Sequence, residues 1–158
     1  MQNKHFQRVA LAARALAACA LLLPALAGAQ AVKLTLGHGA APDNPRHLAS
    51  LKFAELVKAR SAGRIEVQVA PSAQLGDDAA MVTALRTGAL DLSANSQGAV
   101  AAAVPEYAAY GMPFLFATPA RAFQVLDGPL GRELADKSAA KGMVVLGYWD
   151  NGIPVSYT

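Results

Sequence analysis

The part of this chain that reads as a folded domain contains no cysteine. The sole one, Cys19, lies in an N-terminal stretch of different character from the rest. A domain without a thiol excludes disulfides, Cys-ligated zinc, iron–sulfur clusters and cysteine nucleophiles. An excess of one charge is also missing. The formal +3 rests on Lys4, Arg8 and Arg14, and after Gln30 eleven basic residues face eleven acidic ones. The sequence pI near 9.2 therefore belongs to the first thirty residues, and the inference from a basic chain to nucleic acid loses its support. Nucleic acid is set aside as a partner. No G-x-S-x-G elbow, no G-x-x-x-x-G-K-[ST] phosphate loop and no H-E-x-x-H zinc motif occurs. Aromatics are scarce at 6%, while apolar residues reach 54%, many of them alanine. That composition is globular. Roughly 128 residues follow the leader, enough for one small domain.

From Met1, a basic segment with Lys4, His5, Arg8 and Arg14 gives way to the apolar run Ala15 to Leu23, then Pro24 and small residues through Ala29. This is the pattern of a cleavable secretory signal covering residues 1–29, cut after Ala27-x-Ala29. The run falls well short of the ~20 residues a membrane span needs. Leu16-Ala17-Ala18-Cys19 resembles a lipoprotein box, but most of the apolar run follows the cysteine instead of preceding it, so lipidation is the lesser reading. The expected location is the periplasm.

Beyond the leader, alternating and helical periods take turns. Val32 to Gly37 alternates like a half-buried strand, and Leu48 to Val57 recurs at helical spacing, with Pro45 in the first turn and Gly63 as the stop. Ile65 to Val69 alternates again. Asp77 and Asp78 open a second helix that Gly88 closes, and Leu90 to Ala94 reads as a third strand. An Ala-rich run ends at Pro105. Helices begin at Thr118-Pro119 and at Gly128-Pro129, and Met143 to Tyr148 is a continuous apolar run expected to form a fourth strand. Strands and helices in this order predict an α/β fold with a mostly parallel sheet flanked by helices. Ligands of open parallel sheets bind outside the carboxyl ends of the strands. Those ends are the loops at His38 to Asn44, Pro71 to Asp78, Asn95 to Gly98 and Trp149 to Gly152, two of which run into helix N-termini that favour an anion.

Each residue singled out also has a plainer reading. His38 and His47 with Asp43 lack any consensus metal spacing and read as surface or supporting histidines, so no metal is expected. Asp77 and Asp78 sit where carboxylates stabilise a helix start, and one of them also suits the crevice. An enzyme using either as a base would lack a nucleophile or metal to accompany it. Asn95, Ser96 and Gln97 suit either a helix cap or a ligand. Phe114, Phe116 and Phe123 read as core, and Tyr148 with Trp149 as core or cleft lining.

Several segments then fall in the order and spacing of a known family. They are Leu36-Gly37-His38, Phe53-Ala54-Glu55-Leu56-Val57, Gly63-Arg64-Ile65-Glu66-Val67, Pro71-Ser72-Ala73-Gln74-Leu75-Gly76-Asp77-Asp78, Leu85-Arg86-Thr87-Gly88-Ala89-Leu90-Asp91, Met112-Pro113-Phe114-Leu115-Phe116 and Tyr148-Trp149-Asp150-Asn151-Gly152. The chain resembles the DctP-type solute-binding subunit of tripartite ATP-independent periplasmic (TRAP) transporters over Val32 to Gly152. The resemblance implies a receptor and not an enzyme, with no cofactor: two α/β lobes that close on an organic acid, often a C4-dicarboxylate, and deliver it to membrane permease subunits. It implies that residues 30–148 are the first periplasmic-binding-protein-like lobe and residues 149–158 the start of a hinge. His38, Gly39, Asp78, Asn95 and Ser96 would face the solute, joined by Trp149 and Asn151 at the hinge.

Two departures from the family pattern stand out. Gly152-Ile153 is followed by Pro154 where an arginine is common, and the chain ends at Thr158, about half the length the resemblance implies. The expectation is a truncated receptor, a monomer when complete, whose second lobe and carboxylate-clamping arginine are missing and which binds weakly or not at all by itself. The alternative is a secreted sensory or protein-interaction lobe not coupled to transport.

Overall fold

The computed structural model describes residues 30–112 and 114–150. The expected signal sequence and Cys19, together with Asn151, Pro154 and the chain end, lie outside the described residues. One compact unit begins at Val32. Its elements run β1 (Val32–Gly37), α1 (Pro45–Arg60), β2 (Ile65–Ala70), α2 (Asp78–Thr87), β3 (Leu92–Ser93), α3 (Gln97–Ala101), a 3-10 segment (Pro105–Gly111), α4 (Pro119–Leu126) and α5 (Pro129–Ala139). The sheet is parallel with order β2-β1-β3, and Leu34 stands opposite Val67 and Leu36 opposite both Val69 and Leu92.

Local chemistry sets the helix ends. Asn44 caps α1 by accepting from the Arg46 amide, with Pro45 in the first turn. Asp77 caps α2 by accepting from Ala80 N, and Gly88, at φ 74°, closes it in the left-handed region. Thr118 caps α4 through the Arg121 amide. The brevity of β3 also has a local cause. The Asp91 carboxylate accepts the Thr35 amide at 2.8 Å, taking the donor that one more residue of ladder would have used.

Buried apolar side chains form two groups. Leu36, Val67, Met81 and Leu90 are buried around the sheet, Met81 completely. Val82, Val104, Tyr107, Leu134 and Met143 form a second cluster among the helices, with Tyr148 packed against it. The two halves of the α4–α5 hairpin approach so closely that a Cβ on Gly131 would stand 1.5 Å from the Leu126 carbonyl oxygen.

Two sequence expectations fail here. Met143 to Tyr148 forms no strand, so the sheet has three strands among the described residues. The segment is tied to the helices instead: the Met143 amide donates to Ser138 O, and Met143 and Tyr148 pack into the helical cluster while Val144 and Leu146 stay exposed. The phenylalanines are not core either. Phe114 is wholly exposed at φ 63°, Phe116 is half-buried against Tyr110, and Phe123 is half-buried. Phe114 itself sits in a turn, and among the described residues nothing covers its ring.

Candidate functional site

Three loops meet at the carboxyl ends of β1, β2 and β3. The first follows Gly37 and carries His38 and Gly39. The second, Pro71 to Gly76, holds Ser72 and Ala73 in the left-handed region, each at φ 56°, a conformation that costs about 1–2 kcal/mol apiece for residues other than glycine. Hydrogen bonds back to the first loop hold it there: Ser72 N donates to Ala40 O and Ala73 N to His38 O. The third begins at Ala94, whose amide donates to Gly37 O, and carries Asn95 and Ser96.

His38 is fully buried, which leaves the supporting role of the two its sequence context suggests. Its Nδ1 accepts from the Ala40 amide at 3.1 Å, and its Nε2 stands 3.1 Å from Nδ1 of His47. A backbone N–H has only a proton to offer, so Nδ1 carries none and the His38 proton resides on Nε2, donating to His47. In the neutral pair His47 therefore holds its own proton on Nε2. Burial above all, then His47 and Arg46, pushes the His38 pKa below 6.5, against a smaller upward pull from Asp78.

Asp78 opens α2, and its Oδ2 accepts from the Ser96 amide at 2.8 Å and from Arg46 Nη1 at 3.2 Å. Burial alone would raise its pKa. The Ser96 donors and the Arg46 charge outweigh that and hold it below the usual 3.8. The same Arg46 nitrogen donates to Ala94 O at 3.1 Å, so one guanidinium ties α1, α2 and the β3 loop together. The pair keeps only 16% and 18% of its side-chain surface exposed, and Arg46 Nε is buried without a partner. Gly39 lies directly over this pair: a Cβ there would come 2.9 Å from Asp78 Oδ1. Asn95 accepts from the Ser93 hydroxyl at 2.7 Å, and Ser96 stands at the α3 N-terminus without using its side chain as a cap.

Five of the residues read from the sequence, His38, Gly39, Asp78, Asn95 and Ser96, thus meet at one edge of the sheet. Trp149 does not join them in any hydrogen bond or ring contact among the described residues; its half-exposed ring packs on Phe53, 6.1 Å between centroids, seven residues beyond Arg46 along α1. Asn151 lies outside the described residues. Arg46 is the member the sequence reading missed, and its signal was a cation in a helix's first turn, where the dipole disfavours one unless an acid compensates. Among the described residues no group of three or more His, Cys, Asp or Glu side chains is placed to hold a metal ion. No described helix is long and apolar enough to cross a membrane.

Residues 36–158 match the family of bacterial extracellular solute-binding proteins, family 7, DctP. An uncharacterized protein, y4mM, of Sinorhizobium fredii is 59% identical over 84% of this chain and 24% of its own length. The C4-dicarboxylate-binding periplasmic protein DctP of Rhodobacter capsulatus is 32% identical over 86% of this chain and 40% of its own. The crystal structure of the sugar acid binding protein DctPAm of Advenella mimigardefordensis, in complex with galactonate, superimposes with a TM-score of 0.74 at 36% identity. It covers 79% of this chain and 40% of the Advenella chain. The chain thus spans well under half the length of these relatives. Its α/β architecture, with a parallel sheet flanked by helices, matches one lobe of such receptors. By the match over residues 36–158, the chain belongs to family 7 of the bacterial extracellular solute-binding proteins, the DctP family.

Proposed function

We propose that this chain supplies the first lobe of a periplasmic receptor that captures a small organic acid and hands it to the membrane permease of a TRAP transporter, without catalysing a reaction. Residues 1–29 direct export, residues 30–148 form the lobe and residues 149–158 lead into the hinge. Within the lobe Gly39, Asp78, Asn95 and Ser96 meet the solute, while His38, fully buried with both ring nitrogens bonded to Ala40 and His47, holds the loop in shape from behind; Trp149 and Asn151 flank the solute from the hinge. The observation that carries this reading is the convergence of His38, Asp78 and Ser96 at the carboxyl ends of three parallel strands, where a parallel sheet binds its ligands. The carboxylate-binding relatives support the chemical class of the solute.

An amide-resolved NMR titration of the secreted chain with carboxylates up to tens of millimolar tests it. The expected result is weak, saturable binding whose shifts concentrate at His38, Gly39 and Ser96. No shifts with any carboxylate, or shifts scattered over the helices, would overturn it.

A further inference from the structure

Resting on the receptor reading above, we infer that Arg46 is a solute-contact residue of the first lobe: Nη1 pins its guanidinium in place, and Nη2 is held at the space beside Gly39 to donate to a carboxylate oxygen of the solute. A guanidinium carries five N–H donors. Nη1 spends its pair on Asp78 Oδ2 at 3.2 Å and Ala94 O at 3.1 Å. Nε is buried without a partner, and Nη2 makes no hydrogen bond among the described residues. Asp78 is therefore met through one nitrogen, although a carboxylate can take two from the same fork. Most of the donor capacity of this cation stays unused. Its anchoring is nevertheless firm, because α2 and the β3 loop both grip the same nitrogen.

Nη2 stands where the crevice is open. A Cβ at position 39 would come 4.0 Å from Nη2 and 2.9 Å from Asp78 Oδ1, so the lack of a side chain at Gly39 keeps a path to the guanidinium. Asp78 does not use up the positive charge. It also accepts from the Ser96 amide and hydroxyl and stands at the N-terminus of α2, so its own charge is balanced by more than Arg46. A carboxylate oxygen at Nη2 gains a charge-assisted bond from a side chain whose rotamer is already fixed, and a preorganised donor loses little freedom on binding. A lysine could not serve both ends. Its single nitrogen would stand with Asp78 and Ala94 or with the solute. Arg46 is a different group from the clamping arginine expected of the second lobe.

The same NMR titration tests this, run on the secreted chain with galactonate and succinate and with their uncharged carboxamides, galactonamide and succinamide. It adds the Arg46 Nε–Hε signal, which burial protects from exchange and which the Arg46→Lys spectrum assigns by its absence. An acid should shift that signal and the Gly39 amide with one common midpoint. Arg46→Lys should weaken the acid by about fivefold or more, while each carboxamide stays within about twofold of its affinity for the unaltered chain. An acid that moves the Gly39 amide but not the Arg46 signal would overturn the inference and leave the receptor reading standing. So would Arg46→Lys binding the acid as tightly as the unaltered chain. A variant that weakens acid and carboxamide alike would also overturn it, since Arg46 would then act through shape alone. Binding of no acid by the unaltered chain would overturn the receptor reading and this inference with it.

Discussion

His38 Nε2 and His47 Nδ1 stand 3.1 Å apart, and the Ala40 amide on the far side of the His38 ring leaves a single proton for the contact between them. Protonating His38 puts its Nδ1 N–H against the Ala40 amide. Because the folded pKa of His38 lies below its unfolded value of 6.5, the unfolded chain takes up the proton first. The stability this provides is complete above about pH 6.5 and is lost as pH falls from there through the folded value. Chemical denaturation between pH 7.5 and 5 should show a falling midpoint, and His38→Asn, which keeps an acceptor for Ala40, should flatten the slope. A midpoint level across that range in the unaltered chain would contradict the account.

Asp78, also shifted downward, adds a second and separate acid limb, with stability present above 3.8 and lost as pH falls through its lower folded value. Arg46→Met leaves that carboxylate with little exposure and no counter-charge. The expected loss is about 2 kcal/mol, below the range for a fully buried pair because a sixth of each side chain still meets solvent. Asp78→Asn in the same background should recover part of it, and a double-mutant cycle by denaturation measures the coupling. Additive effects would mean that the pair contributes nothing as a pair.

Two glycine substitutions separate site from scaffold. Gly39→Ala brings a methyl to 2.9 Å from Asp78 Oδ1, at an exposed position, and should weaken solute binding roughly tenfold, about 1.4 kcal/mol, with little change in melting temperature. Gly131→Ala collides with the Leu126 backbone at 1.5 Å and should destabilise the α4–α5 hairpin by about 2–3 kcal/mol while leaving the affinity of the folded fraction unchanged. Melting curves and titrations on both variants check the contrast.

Met81→Ala should lower stability by about 3 kcal/mol, measured by denaturation. The Met81 side chain is wholly buried, and its sulfur lies against Gly37, where a Cβ would come within 2.7 Å. A loss under 1 kcal/mol would mean that α2 resettles onto β1.

The first half of the fold was legible because its signals are local. The alternation of Val32 to Gly37, the Pro45 helix start and the Gly88 stop each act within a few residues, and each element stands where they put it. The Met143 to Tyr148 run misled because an apolar run reports burial, not pairing. Whether it joins a sheet depends on a free edge, and here Met143 and Tyr148 find their burial among helices. The loops that carry His38, Gly39, Asp78, Asn95 and Ser96 could be placed from strand ends, and the choice of those residues within them rests on the family resemblance. The role of Arg46 could not, because it depends on two helix starts 32 residues apart being brought to one edge of the sheet.

The strand that leads into His38 and Gly39, β1, is also the one with hydrogen-bonded neighbours on both sides among the described residues. Breaking β2 or β3 away exposes one row of backbone groups, whereas freeing β1 requires opening both ladders. The amides of β1 should accordingly be among the last in the lobe to exchange with solvent, near the global unfolding free energy, while those of the exposed Val144 and Leu146 exchange early. A lobe built this way keeps the loop of His38 and Gly39 rooted in its most persistent part, so the periphery can fray or rearrange without losing the arrangement of that loop.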